Sequence, residues 1–525
     1  MAFSVLYLLF EVLTFWQRRL WRLLRRRSRT TVLREQLAAS RSYEDWNERA
    51  FELDAALGND VWRQNPISRK YDYRLIMDRL QCLIDARESN DIPALIQLLR
   101  GGVLRNYGNI SNLNLFNHAF AGTKLLIEDY ISTTIDALIQ LASDASLSRS
   151  SKIDLLHGTK QSFGTTSLVL QGGAIFGLYH LGVVRALRKA NCLPRNITGT
   201  AVGALIAALV AIKNDDELDD IGANLDLTAF TNLAKGSSKR RAKRLLEKGY
   251  LLDVTVLEAC VKANVGDITF EEAFHRTRRV LNITVFSHKN KSPILLNYLT
   301  SPNALIWSAA CASNATVGLY EHTQILAKDE NGDIVPYTSE DVRWTHWSEA
   351  RMSEKDSPYA RISMLFNVNH FIVSQARPYL APFLSSDLHR HRRRGAWLVF
   401  VRLLGFEIRH RLSQLDLLGL LPVFIRRFLI DDHIQGATVT IVPNLCLADF
   451  EQLLAAPSKS SVNYWALKGE QSVWPALALI QARIGIEIVL DELYEAVRKI
   501  SRDENEVREK PVLRGRTRSM DAAAL

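Results

Sequence analysis

Two short stretches hold the residues whose types and spacing could do chemistry: Gly172-Gly173-Ala174 and, downstream, Gly199-Thr200-Ala201-Val202-Gly203. The first follows an apolar run, Ser167 to Leu170, with the length of a buried strand, and it precedes apolar residues at helical spacing from Phe176 to Leu187. The bare N–H groups of Gly172, Gly173 and Ala174 would then stand at a helix N-terminus, where an anion is stabilised. The second joins a short strand, Asn196 to Thr198, to the apolar helix Ala204 to Ile212. Gly199 and Gly203 are the small flanks that let a strained strand-to-helix elbow lift its central residue into a cleft. Together the two stretches suit acyl transfer, in which a hydroxyl attacks a carbonyl carbon while the upstream amides hold the oxyanion. The lifted residue is Ala201. A methyl group has no lone pair to attack with.

A dinucleotide turn is the competing reading of Gly-Gly-Ala-Ile-Phe-Gly, but the spacing is not GxGxxG and no acidic residue follows the second strand to take a ribose hydroxyl. Gly-Thr-Ala-Val-Gly alone would fit any small-residue turn. Its partnership with the glycine turn upstream makes it specific.

QGGAIFGLYHLGVVRAL followed by ITGTAVGALIAALVA resembles the patatin-like phospholipase domain, in the triacylglycerol-lipase branch of fungi and plants. Asn297 to Ser313 (NYLTSPNALIWSAACAS) and Phe366 to Pro378 (FNVNHFIVSQARP) resemble later blocks of that branch. The stretch LRGGVLRNYGNISNLNLFNHAFAGTKLLIEDY resembles the helical domain that precedes them there. The resemblance implies an α/β fold, a patatin-like three-layer α/β/α arrangement with a mostly parallel central sheet, preceded by an all-helical domain. It implies that Gly172, Gly173 and Ala174 form the oxyanion hole, that Gly199 and Gly203 frame the elbow, and that Ala201 stands where the nucleophilic serine belongs. The serine's partner in the family is an aspartate in an Asp-Gly pair within Trp-x-Asp-Gly-Ser. This chain reads Trp344-Thr345-His346-Trp347-Ser348, so His346 replaces the aspartate and Trp347 the glycine. Asp356-Ser357-Pro358 resembles the family's later Asp-x-Pro, displaced by a few residues, so Asp356 is no evident substitute. The chain holds no Asp-Gly pair, no GxSxG and no HxxxxD. Thr200 points along the elbow, and Ser308 and Ser313 lack an evident base. No metal and no cofactor is expected.

The chain has 525 residues, too many for one ordinary core, and its 47% hydrophobic content supports globular packing. A net charge of +10 favours an anionic partner such as a phospholipid surface. With no zinc-ligand spacing and no RNA-binding signature, nucleic acid is not the expected partner. Cys82, Cys192, Cys260, Cys311 and Cys446 are odd in number and scattered, and read as buried, reduced thiols of an intracellular protein.

Residues 1–30 form a membrane-associating segment: an apolar, aromatic-rich run from Ala2 to Trp16, then a cluster of arginines from Arg18 to Arg29. Fifteen helical residues reach about 22 Å, short of the roughly 30 Å hydrocarbon core. The segment therefore reads as lying in a membrane or lipid-droplet surface on the cytosolic side, or at the endoplasmic reticulum, with a full span helped by Leu20, Leu23 and Leu24 or a disordered leader as the alternatives, and not as a cleaved signal. The resemblance implies a helical domain over residues 43–141 and a patatin-like domain over 165–378, and the serine-rich stretch 142–164 reads as the linker between them. A basic helical extension with a closing strand, Asp432 to Pro443, fills 379–500, and 501–525 form a disordered tail. Leu281 to Phe286 and Ile294 to Tyr298 alternate like paired strands that extend the sheet. Lys239 to Arg244 is either a solvated face or a lid edge. From His389 to Leu429 arginines alternate with apolar residues, as an amphipathic helix pair packed on the domain or as a membrane contact.

Three functions are compatible with these residues. One is an acylglycerol- or phospholipid-binding or regulatory protein whose hydrolytic pair has been lost. Another is a working acyl hydrolase or acyltransferase with an unrecognised nucleophile. The third is a partner of active lipase paralogues.

Overall fold

The structure, a computed structural model, describes residues 29–172, 174–219, 221–222, 225–226, 253–287, 289, 292–315, 323–338, 342–346, 357–376, scattered positions between 400 and 418, 437–443, 449 and 458–509. The segment 1–28, Gly173, the run Lys239 to Arg244, Trp347, Asp356 and Cys446 lie outside these residues.

Six principal helices precede the sheet: α1 (Arg29–Ala39), α2 (Tyr43–Leu57), α3 (Tyr73–Glu88), α4 (Ile92–Gly102), α5 (Leu125–Ser143) and α6 (Arg149–Phe163). Their starts are chemically marked. Ser42, Asp72, Asp91 and Ser148 each accept a hydrogen bond from a first-turn amide, satisfying a donor that the helix itself cannot. Apolar residues then recur on one face, and Leu53, Ile76, Leu83, Leu95 and Leu99 are almost wholly buried. Helix α6 corrects the expected linker at 142–164. Ser148, Ser150 and Ser151 sit at and just after the N-cap, while Leu155, Leu156, Thr159 and Phe163 form a buried stripe that the polar composition concealed.

The sheet has seven strands: β1 (Thr165–Gln171), β2 (Asn196–Thr200), β3 (Val280–Ser287), β4 (Ser292–Leu296), β7 (Trp344–His346), β8 (Val368–Gln375) and β9 (Ala437–Ile441). A separate hairpin pairs β5 (Leu326–Lys328) with β6 (Ile334–Pro336). The order is β4-β3-β2-β1-β8-β9, with β7 also on β3; the pairs among β3, β2, β1, β8 and β9 are parallel, whereas β4 and β7 are antiparallel to β3. Successive residues of β1 divide between two cores, as the pleat requires. Leu168 and Leu170 join the main cluster with α7 (Tyr179–Lys189), α8 (Val202–Ile212), α9 (Val254–Val265), α10 (Phe270–Thr277) and α11 (Ile306–Asn314). Val169 joins a second cluster with Tyr359 and Ile362 of α12 (Pro358–Phe366). The sheet is therefore covered on both faces, as a largely parallel sheet must be.

Two more helices, α13 (Lys459–Val473) and α14 (Leu477–Glu509), complete the main core through Trp465, Val473, Leu477, Ile480, Ile484 and Leu490. The helical stretch Lys459–Lys499 is long and apolar enough to cross a membrane, yet 61% of its most apolar window is buried inside the protein, as in a core helix. Helix α14 runs to Glu509, which corrects the expected disordered tail over 501–509; the apolar spacing of its earlier turns carries the helix into this charged end. Cys192, Cys260 and Cys311 are buried free thiols as expected, but Cys82 is exposed, on the outer face of α3.

Candidate active site

The two stretches singled out by their composition meet at the carboxyl edge of the sheet. Gln171, the last residue of β1, is the register partner of Thr200, the last residue of β2. Gly172 and Ala201 are thus the next residues on neighbouring parallel strands, which run about 4.8 Å apart. Gly172 has φ 99°, a conformation that glycine tolerates. Residues Ala174–Leu178 then form a 3-10 turn before α7 begins at Tyr179, so the helix expected from Phe176 starts as a tighter turn.

At the elbow, Ala201 has φ 55° and ψ −128°. For a residue with a β-carbon this costs of order 1–3 kcal/mol, and such strain concentrates where a side chain must be displayed. The flanks explain why they are glycines. A β-carbon on Gly203 would stand 2.0 Å from the Leu170 carbonyl oxygen, and one on Gly199 would stand 2.5 Å from the Ala204 α-carbon. Helix α8 can press against β1 and β2 only with both positions bare. The Ala201 amide donates to Ser313 Oγ at 3.2 Å, and Ser313 donates to the Thr284 carbonyl at 2.8 Å, tying the elbow to α11 and β3.

Strand β7 delivers His346 to the same edge. Ile283 of β3 pairs with Gly199, and two residues further along β3 Val285 pairs with His346. Because β4 occupies the opposite flank of β3 at Val285, β7 lies on the flank of β2, about 7 Å beyond Gly199 along the strand direction. The backbone of His346 is therefore placed past the end of β2, on the elbow's side.

Comparison with known proteins agrees with this arrangement. A family profile described as "Patatin-like phospholipase" matches residues 168–343, and one described as "Domain of unknown function (DUF3336)" matches residues 23–161. The triacylglycerol lipase ptl1 of Schizosaccharomyces pombe is 39% identical over 454 residues, covering 86% of this chain and 83% of that protein. The triacylglycerol lipase ptl3 of the same yeast is 31% identical over 476 residues, covering 89% and 98%. The triacylglycerol lipase SDP1L of Arabidopsis thaliana is 33% identical over 475 residues, covering 87% of this chain and 58% of that protein. The chain belongs to the patatin-like phospholipase family. Within it, the chain is similar to triacylglycerol lipases of yeasts and a plant, and its own N-terminal region matches the domain of unknown function.

In this patatin-like chain the lining of the carboxyl edge is polar and uncharged. Thr200, Gln171 and Gln375 are register partners across β2, β1 and β8, so their side chains share one face; Thr284, one past the partner of Gly199, continues the row on β3. All four are at most 3% exposed. Among the described residues, Thr200 Oγ1, Gln171 Oε1, Gln375 Nε2 and Thr284 Oγ1 have no hydrogen-bond partner. Each such group costs about 1–3 kcal/mol when left dry.

A second serine and histidine also meet, on the other face. Ser374 Oγ lies 2.8 Å from His180 Nδ1, but the hydroxyl proton goes to Tyr179 Oη, 2.7 Å away, and Tyr179 in turn donates to the Ile441 carbonyl. Ser374 must then accept from the Nδ1–H of His180, which reverses the roles of a nucleophile and its base. Burial pushes the His180 pKa down to about 3, so the imidazole is a poor proton acceptor. Ser308 is equally committed: it donates to the Leu305 carbonyl and accepts from the Leu326 amide, holding the β5–β6 hairpin to α11. Among the described residues no group of three or more His, Cys, Asp or Glu side chains is disposed to hold a metal.

Composition and spacing missed the role of Ser313, the row of unpaired polar atoms and the reversed Ser374–His180 pair. A signal for the row was present. It was confined to two strands: the apolar runs Leu168 to Leu170 of β1 and Phe371 to Val373 of β8 give way to Gln171 and to Ser374-Gln375, whereas β2 and β3 are polar at several positions.

Proposed function

We propose that this chain is a lipid-binding member of its family that has lost ester hydrolysis. It holds an acylglycerol or phospholipid acyl group in the cleft at the carboxyl edge of the sheet, and acts in a regulatory capacity at a membrane or lipid-droplet surface, alongside active lipase paralogues. One observation carries the reading: at the strained elbow where a patatin-like hydrolase displays its attacking oxygen, φ 55° displays a methyl group. His346 in place of the aspartate supports it, since a base at that position has no hydroxyl to activate. The size of the loss supports it too. Deleting the nucleophile of an unrelated serine hydrolase costs about 2 × 10⁶ in turnover, roughly 8–9 kcal/mol of barrier, while an oxyanion hole alone retains on the order of 10³–10⁴ over water.

The test is restoration. The purified parent is expected to release no fatty acid from triacylglycerol above blank and to take up no fluorophosphonate probe. Ala201→Ser combined with His346→Asp and Trp347→Gly is expected to gain probe labelling at the substituted elbow and measurable hydrolysis. Turnover by the parent on triacylglycerol or lysophospholipid would overturn the reading.

A second reading, a working acyl hydrolase or acyltransferase with another nucleophile, is favoured by the relatives' names as triacylglycerol lipases. It requires the parent to be labelled by the same probe, and mapping the modified peptide would locate the hydroxyl.

A further inference from the structure

The described positions between Phe400 and Leu415 are helical, and the Leu418 amide continues the pattern by donating to the Gln414 carbonyl at 3.2 Å. Leu403, Leu404, Ile408, Leu415 and Leu418 all project into solvent, Leu403 at 63% and Leu418 at 71% exposure, with Phe400 also exposed at 55%. On a helix of 3.6 residues per turn these positions fall within one sector of about 140°. Two charged residues share that sector, Glu407 and Arg411, and they neutralise each other at 2.8 Å across one turn. A helix packed on its own domain would bury such a stripe. This one presents it outward.

The composition around the stripe decides what meets it. From His389 to Leu429 the chain carries nine arginines against two carboxylates, a surplus of seven within a net charge of +10 for all 525 residues. An exposed apolar stripe within a stretch of sequence so rich in arginine is matched by a surface that is apolar inside and anionic at its boundary. A second copy of this chain would bring the same arginines and repel. An acidic protein groove would meet the charge but is not required by it.

We infer that the segment 400–418 is an in-plane anchor, inserting Leu403, Leu404, Ile408, Leu415 and Leu418 among the acyl chains of an anionic lipid surface while arginines of the same stretch of sequence take its headgroups. The inference deepens the proposed function, on whose lipid-surface setting it rests, by assigning the surface to a particular element. Docking here would hold the remainder of the protein against the lipid layer.

The experiment uses the full chain with phosphatidylcholine vesicles, either pure or doped with phosphatidylserine. Hydrogen–deuterium exchange reads the segment locally, so the N-terminal apolar stretch cannot stand in for it. Peptides spanning 400–418 are expected to gain protection with the anionic vesicles, less with the neutral ones, and to lose it as salt rises. Leu403→Asp/Leu404→Asp and, separately, Leu415→Asp/Leu418→Asp are expected to lower partitioning onto anionic vesicles by on the order of tenfold or more, with an unchanged melting temperature because the replaced side chains are exposed. Unchanged exchange across 400–418 on anionic vesicles would overturn the inference, as would variants that partition like the parent. So would variants that turn an oligomer into a monomer while vesicle binding persists, since a second copy would then cover the stripe. None of these readouts involves hydrolysis or acyl binding in the cleft, so the anchor and the lost-hydrolase reading can fail independently.

Discussion

The two edges of the central sheet are built on opposite terms. At the amino edge, Arg105 forms an ion pair with Glu487 at 3.1 Å, donates to Thr166 Oγ1 and to the Gly164 and Arg483 carbonyls, and lies 4.5 Å over the Phe163 ring. Glu487 accepts from the Thr166 amide at 2.7 Å, and His370 bridges Thr166 and Arg483. This buried charged network joins the helical domain, β1, β8 and α14. At the carboxyl edge, four polar side chains carry no charge and each leaves an atom unpaired, beside an elbow held in a strained conformation. Buried charge is tolerated where each charged side chain has partners, as here, although Arg105 Nε itself is left without one among the described residues; at the carboxyl edge the unpaired atoms gather on neutral side chains instead. The amino edge ties the helical domain to the sheet, and the carboxyl edge leaves neutral polar atoms beside a strained elbow.

The largest expected effect breaks the amino edge. Glu487→Ala leaves the Arg105 guanidinium buried without its counter-charge and should cost about 3–5 kcal/mol, read as a fall in the urea midpoint. Glu487→Gln, which keeps hydrogen bonds to Thr166, should cost less. A loss below about 1 kcal/mol for the alanine variant would mean that the helical domain is held by apolar packing alone.

Acid should act through the buried histidines. Burial lowers the folded-state pKa of His180 to about 3, below the ordinary value of about 6.5 that it recovers on unfolding. The unfolded chain therefore binds the proton first. Stability is complete above about pH 6.5 and is lost as pH falls below it, by about 1.4 kcal/mol per pH unit for this residue. His180→Gln, which keeps a donor for Ser374, should flatten the fall between pH 7 and 5.5 by about 1 kcal/mol relative to the parent. An identical slope in parent and variant would show that His180 is not held neutral in the folded protein.

Much of this arrangement was legible in the chain because it is local. The apolar run, the glycine pair and the following helical stripe are adjacent in sequence, as are the small residues on either side of Ala201, so the turn and the elbow follow from neighbouring residues alone. The amino-edge network could not be. Arg105 and Glu487 are separated by 382 positions, and neither sits in a motif. Helices α13 and α14 read locally as an extension, yet they close the main core, because apolar spacing says that a face is buried and not what buries it. The row of Thr200, Gln171, Gln375 and Thr284 required the register of four strands, which one sequence does not specify. Helix α6 was hidden by the serines around its N-cap, whose composition is that of a loop.

The smallest effect is the most pointed test of the carboxyl edge. A residue at φ 55°, ψ −128° occupies backbone space that glycine enters freely and alanine does not. If the elbow no longer displays a working side chain, the methyl of Ala201 contributes only strain, set against the extra entropy that glycine loses on folding, about 0.4–1 kcal/mol. Ala201→Gly should then stabilise the protein by about 1 kcal/mol, measured as a raised denaturant midpoint at unchanged slope. A fall in stability would show instead that the methyl is packed, and that the position has been rebuilt around alanine. The sign of this one substitution thus separates a hydrolase elbow that has lost only its oxygen from a turn reshaped for another use.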